Sequence, residues 1–327
     1  MSVKIGIPKT LSYYVYYPLW HKFFTELGAE VVTSNNTSRY IVDGGVKETV
    51  NDACVPIKLF HGHVLNLKDR VDYLFLPRLV STNGCQVYCP KFLGLPDMIR
   101  NTLDGLPKII EPKVDLRKGK FEFIKLIYQA GSILTKNPFK IYSAFFKAKD
   151  YFNDFQSLLQ QGYTVNEAIK ELNGEEVKGN LSKTKDTLKV AVLGYPYIIY
   201  DPYVSVNMIK KLRDLDVEIV TSDMVSEEEL AVQSSKLKKD LFWTLSDKKI
   251  KAGYHYYEKG EIDGLVHVSA FGCGPDFIVD KLLELKAKDK DDISFMTLTV
   301  DEHTGEAGIV TRLEAFIDML HLRGRKQ

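Results

Sequence analysis

No stretch of the chain approaches the roughly 20 consecutive apolar residues of a membrane-spanning helix. Charge of one sign is missing too. Lys and Arg number 44 against 43 Asp and Glu in 327 residues, so no strong field draws nucleic acid. A local patch for a long anionic substrate is still compatible with that balance. Neither a Gly-X-X-X-X-Gly-Lys-Ser/Thr loop nor a Gly-X-Gly-X-X-Gly turn opens a helix after a strand, so ATP and NAD are not implied. The Gly-X-Ser-X-Gly elbow of a serine hydrolase is absent as well. Cysteine is scarce: four residues are too few for a disulfide scaffold, and none forms Cys-X-X-Cys. Met1 to Pro8 reads as the start of a strand and lacks a signal-peptide pattern. These features predict a cytoplasmic protein with reduced thiols and with no membrane or nucleic-acid partner.

What is present is a repeat. Lys4 to Pro8 reads as a strand, followed by an aromatic loop, a helix over Trp20 to Leu27 and a strand over Glu30 to Ser34. Lys189 to Leu193 opens the same series, with a Tyr-rich loop, a helix over Val204 to Leu215 and a strand over Glu218 to Ser222. A third strand follows in each half, Val71 to Pro77 and Ile262 to Val268. Each runs into Ser-X-X-Gly-Cys, at Ser81 to Cys85 and at Ser269 to Cys273. Short apolar strands joined by amphipathic helices imply parallel sheets, whose ligands sit at the carboxyl ends of the strands.

The predicted fold is therefore α/β, with two Rossmann-like parallel-sheet domains facing a cleft and a helical insertion between them. The domains are residues 1–112 and 187–327, and the last helix packs back through Leu313, Phe316, Ile317 and Leu320. The insertion, 113–186, is rich in Lys, Phe and Tyr, with helices through Ser143 to Lys149 and Val165 to Leu172 and a linker over Gly179 to Lys185.

Three cysteines share one local design. Cys54 is followed by Pro56, Cys89 by Pro90 and Cys273 by Pro275. Proline favours the first helical turn, so each thiol is predicted near a helix N-terminus. That end carries partial positive charge, lowers a thiol pKa and suits an anionic metal–thiolate centre. Three such thiols suggest one iron–sulfur cluster held between two domains. Cys85 has no nearby proline, yet aligns with Cys273 in the repeat. It is a fourth ligand, a labile ligand or a bystander. With four cysteine ligands the chain reads as a non-catalytic electron-transfer or scaffold protein; with three, one iron stays open to substrate.

Zinc is the competing metal, with Cys54, His61 and His63 as candidates. His61 lies two helical turns on, about 10 Å along the axis, which disfavours a shared ion. Lys58 and Lys91 are placed to offset cluster charge or to be solvated. Tyr13, Tyr14, Tyr16 and Tyr17 mirror Tyr195, Tyr197, Tyr200 and Tyr203 as cleft walls or as core.

Longer motifs carry a family resemblance. Asp52 to Lys58, Gly62-His63, Tyr88 to Asp97, Ser269 to Asp276, Asp301 to Gly308 and Thr311 to Phe316 resemble the acyl-CoA dehydratase activase-related proteins. That family is similar to the subunits of 2-hydroxyacyl-CoA dehydratases and benzoyl-CoA reductases and to double-cubane cluster proteins. The resemblance implies a [4Fe-4S] cluster in the cleft, with ligands at Cys54, Cys89 and Cys273; Cys85 falls outside the pattern. It also implies an ATP-hydrolysing iron–sulfur activator as electron donor. A homodimer or a second dehydratase-like subunit, and an acyl-CoA or other small-molecule substrate, complete the expected partners. The implied chemistry is oxygen-sensitive, low-potential, one-electron reduction or 2-hydroxyacyl-CoA dehydration in anaerobic metabolism.

Overall fold

The computed structural model describes residues 2–177, 187–234, 237, 239–289 and 293–324. The chain packs as two compact units, residues 1–157 with 242–244, and residues 158–241 with 245–327. The linker expected over Gly179 to Lys185 lies outside the described residues. Among the described residues no helix is long and apolar enough to cross a membrane.

The first unit runs β1 (Lys4–Ile7), α1 (Tyr13–Glu26), β2 (Glu30–Thr33), α2 (Arg39–Lys47), α3 (Val55–Leu67), β3 (Tyr73–Phe75), β4 (Arg78–Ser81), α4 (Pro90–Thr102), β5 (Lys108–Ile110), β6 (Lys113–Asp115), α5 (Lys120–Gly131) and α6 (Pro138–Gln160). Its main sheet is parallel, in the order β2-β1-β3-β5, and β4 pairs with β6 alongside. The second unit runs α7 (Val165–Leu172), β7 (Lys189–Gly194), α8 (Pro196–Ile199), α9 (Met208–Asp214), β8 (Glu218–Val220), α10 (Glu227–Ser234), α11 (Thr244–Lys259), β9 (Gly264–Ala270), α12 (Gly274–Lys288), β10 (Ser294–Val300) and α13 (Glu306–Gly324). Its sheet is parallel, in the order β10-β9-β7-β8. Helices of the middle segment are divided between the units: α5 and most of α6 belong to the first and α7 to the second.

Both main sheets have the same topology, with the first strand between the second and third and the fourth outermost. The repeat extends to single hydrogen bonds. The Lys4 N–H donates to Asp72 Oδ2 at 2.8 Å, and the Lys189 N–H donates to Asp263 Oδ2 at 2.7 Å. Each aspartate N–H returns a bond to the same lysine carbonyl, at 3.0 and 2.8 Å. The two Rossmann-like sheets expected from the sequence are thus present. Val190 to Leu193 are fully buried, as befits a parallel strand covered on both faces.

Two helix starts differ from expectation. In the first half the helix begins at Tyr13, not near Trp20. Tyr13, Tyr17, Trp20 and Phe24 follow helical spacing, so the tyrosines are the opening turns of α1 rather than a loop. In the second half, Val206 and Asn207 take positive φ of 55° and 54°, which holds the start of α9 back to Met208. The last helix docks as expected: Leu313, Phe316, Ile317 and Leu320 are buried, and a Cβ at Gly264 of β9 would meet Phe316 at 2.8 Å. Burial of each such side chain contributes about 1.5–3 kcal/mol.

The helix carrying Cys54 is seated by reciprocal glycines. A Cβ on Gly45 of α2 would run into the Lys58 carbonyl of α3, and one on Gly62 of α3 into the Ile41 carbonyl of α2. Only two side-chain-free positions allow backbones that close.

Candidate functional site

Cys54, Cys89 and Cys273 are each the residue immediately before a helix, α3, α4 and α12 respectively. A proline occupies the first or second helical position of all three. Proline suits the first helical turn, and unpaired N–H groups and partial positive charge belong to the helix end at which each cysteine stands. None of the four cysteines is in a disulfide.

Cys54 and Cys89 belong to the first unit and interact electrostatically. Lys91, in the first turn of α4, donates from Nζ to Cys54 Sγ at 3.3 Å. Burial pushes the Cys89 thiol up; the Cys54 thiol adds to this, and the Lys91 backbone N–H and charge oppose it. The lowering expected from a helix end is therefore outweighed at Cys89 by desolvation. Lys58, one turn into α3, is buried, not solvated.

The approach to Cys89 is pinned by hydroxyls. Tyr16 and Tyr88 share a bond at 2.7 Å, and Tyr16 donates to Thr82 Oγ1 at 3.1 Å. Val87 N–H donates to the Phe242 carbonyl at 3.0 Å, within the same unit. Cys85 is exposed on the turn between, where Asn83 Oδ1 accepts from the Cys85 and Gln86 N–H groups. It does not begin a helix. Gly84 and Gly272 share a φ of 77°, so the Ser-X-X-Gly-Cys turn repeats locally. In the first unit the chain runs four residues further before its helix starts. Cys89, rather than Cys85, is therefore the topological counterpart of Cys273: each precedes the helix that joins the third strand of its main sheet to the outermost.

Tyr13 and Tyr17 of α1 fill the switch-point crevice between the carboxyl ends of β1 and β3. With Trp20, Phe60 and Phe75 they leave about 10 Å³, close to a single water.

Cys273 belongs to the second unit and has a buried network behind it. The Tyr195 hydroxyl, just past β7, is bonded to Ser246 Oγ at 2.8 Å and to the Cys273 thiol. Lys249 Nζ lies 3.9 Å from the centre of the Tyr195 ring and is ion-paired with Asp276, in the first turn of α12. His267 of β9 joins Asp276 to Asp280, with Nε2 3.3 Å from Asp276 Oδ1 and Nδ1 2.9 Å from Asp280 Oδ1. Thr297 Oγ1 donates to Asp280 at 2.5 Å. Burial pushes the Asp276 carboxyl up, but Lys249 and His267 hold it at about 2.

Sequence reading gave His267 no role and overlooked Ser246, Lys249, Asp276 and Asp280. A signal was available for Lys249: it shares a helical face with Gly253 and Tyr257, beside Ile250, all buried. His63 bonds Ser34 Oγ and Thr37 Oγ1 through its two ring nitrogens, and burial lowers it to about 3. His61 Nδ1 pairs with the Ile57 carbonyl. Both are core residues of α3. Among the described residues no three His, Cys, Asp or Glu side chains converge on one metal-sized point. By their chemistry the cysteines suit thiolate ligation: each immediately precedes a helix, and Lys91 donates to Cys54.

No curated protein matches the chain. A known family does match, over residues 4–225, which takes in Cys54, Cys85 and Cys89 and stops short of Cys273. On that match, spanning two thirds of its length, the chain belongs to the family described as the CoA enzyme activase uncharacterised domain.

Proposed function

We propose that this chain is an iron–sulfur component in the activation of enzymes that act on CoA thioesters, with Cys54, Cys89 and Cys273 as ligands of one [4Fe-4S] cluster. The single observation that carries this reading is the common placement of the three cysteines. Each immediately precedes a helix with proline in its first two positions. Helix N-termini favour anions, and a cluster with thiolate ligands is anionic.

Cys85, exposed on its turn, is the candidate fourth thiol. When bound, the cluster would supply low-potential one-electron chemistry. The chain's own residues would hold the sulfurs, offset their charge and limit water. Lys91 serves Cys54 in this way, and Tyr195 neighbours Cys273. The chain has no phosphate loop. As the family resemblance implies, an ATP-hydrolysing iron–sulfur activator is the proposed electron donor, and a dehydratase-type subunit or a second copy of the chain the proposed partner.

The test is iron, acid-labile sulfide and zinc on strictly anaerobic protein, with absorption spectra before and after dithionite. About four irons and four sulfides per chain, bleaching on reduction, are expected. Stoichiometric zinc without sulfide, or no metal after anaerobic reconstitution, would remove the reading.

A further inference from the structure

Helices α5 and α6 form an antiparallel hairpin within the first unit. Phe123 of α5 meets Phe145 of α6 with ring centres 5.2 Å apart, and the Tyr142 hydroxyl donates to the Ile124 carbonyl at 3.1 Å. One face of the hairpin is packed: Leu126, Ile127, Ala130, Ile141, Ala144 and Phe145 are buried. The opposite face carries apolar side chains into solvent. Phe121, Ile124 and Tyr128 of α5 are exposed, as are Phe139 and Phe146 of α6, and Phe121 and Phe139 are the most open, at 88% and 85%. Both rows follow the same i, i+3, i+7 spacing, with Tyr142 in the middle of the second, so each runs along one side of its helix. The antiparallel register sets Phe121 level with Phe146 and Tyr128 level with Phe139. Two adjoining rows thus make one aromatic face about 10 Å long.

The same segment breaks the charge balance of the chain. Residues 117–149 hold eight Lys or Arg against one carboxylate, Glu122, although the whole chain has a net charge of only +1. Asp150 ends the run. Arg117 pairs with Asp115 and Lys147 with Glu26. Lys118, Lys125, Lys136, Lys140 and Lys149 are exposed and join no ion pair among the described residues.

We infer that the α5–α6 hairpin docks on an anionic lipid surface, with Phe121 and Phe139 entering the boundary between headgroups and acyl chains and the five lysines meeting the phosphates. A second copy of the chain would set like charges against each other on this face. An acidic protein would answer the charge, yet protein interfaces are depleted in lysine, and these five cations are all lysines. Exposed aromatics flanked by lysine are the composition of helices that lie in a membrane interface. Lysine stems run along apolar surface while their ammonium groups reach the headgroups. The expectation of no membrane partner rests on the missing span, which surface binding does not need. The inference is independent of the cluster assignment.

The experiment is co-sedimentation of the full-length chain with vesicles of equal parts phosphatidylcholine and phosphatidylglycerol, beside vesicles of phosphatidylcholine alone. Binding is expected to the mixed vesicles only, and to weaken at high salt. Phe121→Ser combined with Phe139→Ser is expected to lower the partition coefficient about a hundredfold, tenfold for each ring. Lys140→Gln combined with Lys149→Gln is expected to lower it about 25-fold, fivefold for each charge. All four positions are exposed, so both variants should keep the circular dichroism of wild type. Partition of both variants within about twofold of wild type would overturn the inference, since that margin is below the scale of one charge. Equal binding to phosphatidylcholine alone would overturn it as well, because the lysines would then play no part. Wild type that sediments with neither vesicle would overturn it and leave the face to an acidic protein.

Discussion

Lys91 Nζ donates to the Cys54 sulfur across 3.3 Å, although the two residues are 37 positions apart. The bond ties the first turn of α4 to the residue that precedes α3, so the two cysteine-led helices of the first unit share a contact at their N-termini. Lys91 follows Cys89 by two residues and bonds its thiol through the backbone N–H, so one residue links both thiols of that unit.

Replacing Lys91 with Ala should weaken the hold on a bound centre without unfolding the protein. A hydrogen bond of this kind is worth about 1 kcal/mol, so iron loss to a chelator should quicken about fivefold. Lys91→Arg should lie closer to wild type. Equal loss rates for Lys91→Ala and wild type would show that the contact does not bear on the site.

The Lys249–Asp276 pair predicts an unequal response to single and double replacement. Both residues are essentially inaccessible, at 1% and 0% exposure. Lys249→Met leaves a buried carboxylate with only His267 beside it and should cost about 3–5 kcal/mol in urea unfolding. The double variant Lys249→Met with Asp276→Leu removes both charges and should be more stable than the single variant. A double variant that is less stable than Lys249→Met would contradict this account of the pair.

Acid stability follows from Asp276. Its folded pKa, about 2, lies below the unfolded value of about 3.9. The folded state therefore holds its proton less tightly, and the contribution is fully present above about pH 4. It is lost as the pH falls through about 4 toward 2. Urea midpoints measured between pH 5 and pH 2.5 should fall less steeply in Asp276→Asn than in wild type. The difference is on the order of 2 kcal/mol. Parallel pH profiles would place the acid sensitivity elsewhere.

Gly45 and Gly62 predict a packing effect that reaches the site. Alanine at either position forces backbone against backbone between α2 and α3 and should cost at least about 1–3 kcal/mol. Because α3 begins at Cys54, the Gly62→Ala variant should also bind less iron. Unchanged urea midpoints in both variants would mean that the helix crossing is looser than the structure shows.

Much of the fold was legible because the signals are local. The repeated strands, the α7 helix at Val165 to Leu172 and the helix starts after Cys54, Cys89 and Cys273 all rest on periodicity or on proline position. The aromatic stretch at Tyr13 was misread because tyrosines suit loops and helix faces alike; spacing alone separated them. Lys249 is not legible as a buried residue because Lys248-Lys249-Ile250-Lys251 has the composition of a solvated face, whereas tertiary packing buries two of its three lysines, each with an acidic partner. The pairing of Cys273 with Cys89, rather than with Cys85, depends on where a helix starts after a turn, which the matching pentapeptides do not encode.

The central claim is most directly tested by iron and sulfide content in the three single variants Cys54→Ser, Cys89→Ser and Cys273→Ser, prepared anaerobically beside wild type. Each variant is predicted to fall well below the wild-type content while keeping its fold by circular dichroism. Full retention of iron in all three would contradict the ligand assignment.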